Sequence, residues 1–153
     1  MNTKQRFFEK ISIYEHQAIN LPKRQTQMSA GYDFEAAQNC EIPSQTVILV
    51  PTGIKASFPQ DEVLLIYIRS SIPLKKKLIM VNGVGVIDSD YYHNIKNEGH
   101  ILIPLYNFSN QTVKITKGER IAQGLFQNVL LSTKEATPSS LRKGGFGSTT
   151  HKN

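Results

Sequence analysis

The chain has 153 residues, a formal net charge of +6 and one cysteine, Cys40, which bounds it to a single domain without a disulfide framework, one that buries roughly 68–70% of its unfolded surface. No His or Cys spacing resembles a zinc site, no uncharged run is long and apolar enough to span a bilayer, and Lys4, Arg6, Glu9 and Lys10 precede no uninterrupted apolar segment of the secretory kind. A soluble protein in a reducing, cytoplasmic setting is expected.

Short segments rich in Ile, Val, Leu, Phe and Tyr predict strands over Phe8 to Tyr14, Thr46 to Val50, Val63 to Ile68, Leu78 to Val81, Ile101 to Tyr106 and Ile121 to Leu131. Turns separate them at Asn20-Leu21-Pro22, Pro51-Thr52-Gly53, Phe58-Pro59-Gln60-Asp61 and Thr116-Lys117-Gly118-Glu119. One short helix is expected after Ser70-Ser71, with Pro73 early in it. These elements predict an all-β barrel or jelly roll with at most one short helix. From Ser132 onward Ser, Thr, Lys and Gly take over, which divides the chain into a barrel over 1–131 and a flexible tail over 132–153.

The basic residues are scattered, apart from Lys75-Lys76-Lys77, and aromatics do not alternate with them, so no nucleic acid partner is expected. A nucleoside triphosphate explains the positive charge equally well, and most individual lysines read as solvated surface.

Three segments carry candidate chemistry. In residues 82 to 91, Gly83 and Gly85 permit positive φ angles and close backbone approach to a planar base, Asp88 is placed to polarise a water, and Tyr91 to lie against a sugar face. An ordinary hairpin with a solvated acidic turn fits the same residues. In the second segment, Ser70 and Ser71 cap a short helix whose free N–H groups, with the Arg69 fork, suit phosphate oxygens; helix caps beside a surface ion pair are the plainer alternative. In the third, Gln123 interrupts an apolar strand, where alternation alone places it on the solvent face. His93 and His100 lack an evident third ligand, which argues against a metal pair.

Five segments in order, Ser29-Ala30-Gly31-Tyr32-Asp33-Phe34, Ile68-Arg69-Ser70-Ser71, Asn82 to Tyr91, Gly118-Glu119-Arg120-Ile121-Ala122-Gln123 and Gly144-Gly145-Phe146-Gly147-Ser148-Thr149, resemble the motif series of the homotrimeric dUTP diphosphatases (dUTPases). That resemblance implies a distorted jelly roll that hydrolyses dUTP to dUMP and pyrophosphate. It implies Asp88 as general base. Arg69, Ser70, Ser71 and Gln123 would hold the phosphates, the backbone around Asn82, Gly83, Gly85 and Val86 would read uracil, and Tyr91 would pack on deoxyribose. Asp33 would orient water on a Mg²⁺ held by the triphosphate. In the tail, Phe146 would stack on uracil, with Gly147, Ser148 and Thr149 wrapping the γ-phosphate. The assembly implied is a homotrimer with shared sites.

The chain departs from the family pattern at four places. Leu141 stands where the family has the tail arginine, which leaves the γ-phosphate to Arg142 or Lys143; Ile68 replaces a Gly or Pro; His93 replaces a Gly; and 94–99 reads as an insertion. Two further readings share the fold: a dCTP deaminase, and a nucleotide-gated protein that binds a regulatory partner. Ile87-Asp88-Ser89-Asp90-Tyr91 and the Gly-Gly-Phe-Gly-Ser tail favour the dUTPase over the deaminase.

Overall fold

The computed structural model describes residues 4–147, so Ser148 and Thr149 of the expected lid lie outside the described residues. Among those, the strands are β1 (Phe7–Lys10), β2 (Tyr32–Glu35), β3 (Cys40–Ile42), β4 (Val47–Pro51), β5 (Ile54–Ser57), β6 (Glu62–Ile68), β7 (Leu78–Met80), β8 (Gly85–Asp88), β9 (Leu102–Asn107), β10 (Val113–Ile115) and β11 (Arg120–Asn128). The helix α1 spans Ser71–Lys76. All pairings are antiparallel. They make a four-stranded sheet in the order β2-β11-β6-β8, a three-stranded sheet β4-β9-β7, and two ribbons, β1-β5 and β10-β3. This is an all-β fold of jelly-roll type.

Side-chain alternation explains how these sheets close on one core. Along β6, Leu64 and Ile66 point inward while Val63 and Leu65 are only partly covered, the period of two that a half-buried strand imposes. Ile103 and Leu105 of β9, Val50 of β4 and Ile121 of β11 meet them, and Phe34 of β2 is fully buried. Each such side chain contributes roughly 1.5–3 kcal/mol by leaving water. Phe8 of β1 reaches across to Phe34 edge-on at 5.5 Å and to Phe126 at 5.6 Å, which fastens the amino-terminal ribbon to the larger sheet.

The structure corrects several sequence expectations. The first strand stops at Lys10, because Ile11 and Tyr14 both turn inward beside Ala37, and a 3₁₀ turn over Ser12–Tyr14 puts that i, i+3 pair on one side. The last strand ends at Asn128 rather than Leu131, opposite Glu62 where its partner β6 begins, with one further bond from the Val129 N–H to the Asp61 carbonyl at 2.9 Å. Four strands, β2, β3, β5 and β10, lie outside every predicted strand segment, and β8 lies within the 82–91 segment expected to form a hairpin. The segment 81–84 is a turn between two sheets and not the loop of a hairpin, since β7 pairs with β9 while β8 pairs with β6.

One buried junction ties the β1-β5 ribbon to the β4-β9-β7 sheet and has a pH signature. Gly53 N–H donates to His100 Nε2 at 2.9 Å, and Thr52 Oγ1 donates to the Ile101 carbonyl at 2.6 Å. Burial holds the His100 imidazole down to about 4, opposed weakly by Glu98. The folded state therefore keeps His100 neutral while an unfolded chain takes up a proton near its ordinary value of about 6.5. This stabilisation is complete above about pH 6.5 and is lost as pH falls through 4, a cost of roughly 3 kcal/mol. Thermal melts between pH 7 and pH 4 should show the decline, and His100→Gln should flatten it.

Candidate active site

Three neighbouring strands bring the first, second and fourth motifs to one end of the larger sheet. Asp33 on β2 lies opposite Gln123 on β11, and Gln123 lies opposite Tyr67 on β6. Where β6 ends, the Arg69 N–H donates to the Ile121 carbonyl at 3.1 Å. A bulge between Arg120 and Ala122 lets Ile121 and Ala122 both fill the core, and from there Ala122 and Gly124 point inward, so alternation turns Gln123 outward. The result is a cleft of about 350 Å³ that Asp33, Arg69, Ser70, Arg120 and Gln123 share with Gln25 and Ser29.

Its electrostatics suit an anion. Asp33 is only 11% exposed and pairs with Arg69 Nε at 3.4 Å through one oxygen and with Arg120 Nη1 at 3.1 Å through the other. Two guanidinium groups on one carboxylate leave a net positive charge facing the cleft. Gln123 lies close over Gly31, where an added Cβ would come within 2.5 Å of Oε1. The loop before Gly31 is braced by Arg24 Nη1, which donates to the carbonyls of Gln27 at 2.9 Å and Ser29 at 3.0 Å.

The helix-cap expectation is corrected. Ser70 itself has helical angles (φ −54°, ψ −31°) and its side chain makes no capping bond, because the cap geometry needs an extended residue there. Ser70 instead lines the cleft, while Ser71 opens α1 outside the lining.

The third motif builds a separate pocket of about 170 Å³, whose rim includes Asn82, Gly85, Val86, Asp88 and Tyr91 over a floor of Ile66, Met80 and Ile103. That is below the roughly 300 Å³ of a typical whole-ligand pocket and suits a base alone. Gly83 takes φ +70° in the turn and lies outside the lining. Gly85 is needed for a different reason from the one expected. It is not in the left-handed region, but a Cβ there would sit 3.1 Å from Ile66 Cβ.

The tail crosses the same pocket. Arg142 pairs with Asp88, donates from Nε to Asp90 at 2.6 Å, and from Nη1 to the Gly144 carbonyl at 3.2 Å. Gly145 and Phe146 close the rim, and Gly147 lies just beyond it. Sequence reasoning missed Gln25 and Ser29 in the cleft and the apolar floor of the pocket; Ser29 alone had a signal, its place at the head of the first motif.

The two sites are far apart within one chain. Asp88 is opposite Val63 at the start of β6, whereas Arg69 stands six residues further along the strand, about 20 Å away at ~3.3 Å per residue.

A jelly-roll-type β fold with a cationic cleft and an acid-edged, base-sized pocket is the architecture of a nucleotide-hydrolysing class. The dUTPase family model matches residues 17–150. The chain is 48% identical to the deoxyuridine 5'-triphosphate nucleotidohydrolase of Lactococcus lactis over 145 residues, covering 94% of this chain and 97% of the relative. It is 33% identical to the enzyme of that name from Helicobacter pylori, covering 92% and 96%. Among solved structures, the dUTPase from Streptococcus mutans superposes with a TM-score of 0.79 at 48% identity, over 82% of this chain and 97% of that one. The chain belongs to the dUTPase family. The deaminase alternative gives way to these matches.

Proposed function

We propose that this chain, a dUTP diphosphatase by family, works through a site composed between copies, in which the Asp88 pocket of one subunit meets the Arg69 cleft of another. The separation of about 20 Å along β6 carries this reading. In-line attack needs the water on Asp88 within roughly 3–3.5 Å of the α-phosphorus, and one chain cannot hold that phosphorus against its own cleft at the same time.

Asp88 accepts a proton from the water as its oxygen bonds the α-phosphorus, and the bond to the bridging oxygen of pyrophosphate breaks. Arg69, Ser70, Ser71 and Gln123 hold the phosphate oxygens through charge-assisted and neutral donors. The backbone around Asn82, Gly83, Gly85 and Val86 reads the edge of uracil. Tyr91 forms the wall behind the deoxyribose. A tail lifted from Asp88 lets Phe146 cover the base, Arg142 or Lys143 reach the γ-phosphate, and Gly147, Ser148 and Thr149 wrap it.

The donor set suits Mg²⁺ bound through water. Asp33 is already engaged by two arginines, but its 3.4 Å contact to Arg69 is loose enough for one oxygen to accept from a metal-bound water as well. When bound, Mg²⁺ supplies neutralising charge for the leaving pyrophosphate.

A homotrimer is the assembly proposed. On the β4-β9-β7 sheet, Val47, Leu49, Ile79 and Val81 form an apolar face, each 41% to 54% exposed, of the kind an oligomer covers. Such a trimer would supply the second copy each site needs. A cytoplasmic setting fits the free Cys40. Nothing observed among the described residues favours a regulatory protein partner.

Product analysis by anion exchange tests the reading. With Mg²⁺, dUTP alone among dUTP, dCTP, dTTP and UTP should yield its monophosphate and pyrophosphate, and chelation of Mg²⁺ should slow it. Survival of dUTP, or conversion of dCTP to dUTP, would contradict it.

A further inference from the structure

Tyr91 is 6% exposed, and its hydroxyl is held from two sides, donating to the His100 carbonyl at 2.7 Å and accepting from Asn97 Nδ2 at 2.8 Å. Asn97 is itself fixed. Its Oδ1 accepts from Asn94 Nδ2 at 2.7 Å and from the Gly99 N–H at 3.1 Å. The buried Asn94 completes the net, since its Nδ2 also donates to the Tyr91 carbonyl at 2.8 Å and its Oδ1 accepts from the N–H groups of Lys96 and Asn97 at 3.1 and 3.2 Å.

The loop carrying these groups closes on the tyrosine's own backbone. His93 N–H donates to the Glu98 carbonyl at 2.8 Å, and His93, Glu98 and Gly99 all take positive φ angles to permit it. Glu98 is anchored in turn, accepting from Ser12 and lying 3.4 Å from Lys55 Nζ. Residues 94–99, which read as an insertion in sequence, are thus a rigid brace for one phenol. Such bracing matters for a wall that must refuse a small group, because a wall free to shift discriminates by only ~1–3 kcal/mol.

We propose that Asn97 is a positioning residue for pentose selection: by donating to the Tyr91 hydroxyl it fixes the ring that excludes a ribose 2′-hydroxyl. This rests on Tyr91 being the sugar wall, as proposed above. The test is kcat/KM for dUTP and for UTP, both with Mg²⁺, in the full chain and in Asn97→Ala, Tyr91→Phe, the double variant and Tyr91→Ala.

Asn97→Ala should raise the UTP-to-dUTP ratio about tenfold while kcat for dUTP stays within about threefold, the size of effect expected for one buried hydrogen bond. Tyr91→Phe, which removes the Asn97 bond together with the one to the His100 carbonyl, should raise the ratio at least as much, and adding Asn97→Ala to it should change the ratio little further, because the Asn97 bond is already gone. Asn97→Asp keeps the acceptor that serves Asn94 and Gly99 but lacks the donor; it should also raise the ratio, which covers the case in which the alanine variant fails to fold. An unchanged ratio in the folded Asn97 variants, or an equal loss of both substrates, overturns the proposal if Tyr91→Ala still relaxes selection. If Tyr91→Ala leaves selection intact, the sugar-wall reading itself is overturned.

Discussion

Asp88→Asn is expected to lower kcat for dUTP by about 10²- to 10⁴-fold, the usual contribution of a positioned general base. Asparagine matches the carboxylate in size and can hold the water, but it cannot take the water's proton. Asp88 ends β8 on the rim of the base pocket with its side chain 52% exposed, so the substitution disturbs no core packing. KM should therefore change little, as for an interaction made in the transition state only. The same carboxylate pairs with Arg142 in this structure, and its loss also loosens the tail. Single-turnover assays separate the two effects. A slow chemical step after normal dUTP binding marks the base, whereas weakened binding with normal chemistry would assign Asp88 to tail anchoring alone.

Arg69→Ala should reduce kcat/KM by about 10²- to 10³-fold, as loss of one preorganised donor to a charged transition state does. Arg69 has its side chain 28% exposed at the end of β6, with Nε on Asp33 and Nη1 3.5 Å from the Arg120 carbonyl, so the fork is aimed before any substrate arrives. Removing it leaves Asp33 to Arg120 alone and changes the cleft from net positive to neutral. Arg69→Lys should recover only part of the loss, because an ammonium cannot offer two parallel donors. Steady-state kinetics at several salt concentrations check this, and the variant should lose part of the salt dependence of KM.

The parts of this molecule legible in its sequence are those where one residue's character decides. β6 and β9 show in their alternation and branched side chains, and α1 in its place after the serine pair. β2, β3, β5 and β10 are three or four residues each and carry Asp33, Glu41, Lys55 and Lys114, so neither length nor apolar content marks them. Their pairing is a tertiary matter. Tyr14 reads as strand because its hydrophobicity is the same in a strand and in a buried turn.

At the site, motif residues that touch through adjacent strands, Asp33, Arg69 and Gln123, were readable as a group. Gln25 was not, since its place in the cleft depends on a loop braced by Arg24. Asn97 was hidden for a similar reason, because its partner is a hydroxyl brought near by the turn of 91–100. The placing of Arg69 and Asp88 at opposite ends of β6 is a matter of register, which no motif states.

The composite site is tested most directly by mixing two inactive chains, Asp88→Asn and Arg69→Ala, refolding them together and assaying dUTP hydrolysis. Each variant alone makes only defective sites. In randomly mixed trimers a site drawing its cleft from one chain and its pocket from another has both halves intact about a quarter of the time, so roughly 25% of wild-type activity should return. Activity no higher than that of the separate variants, in mixtures shown to form hybrid trimers, would contradict the composite site and require Asp88 and Arg69 to act within one chain.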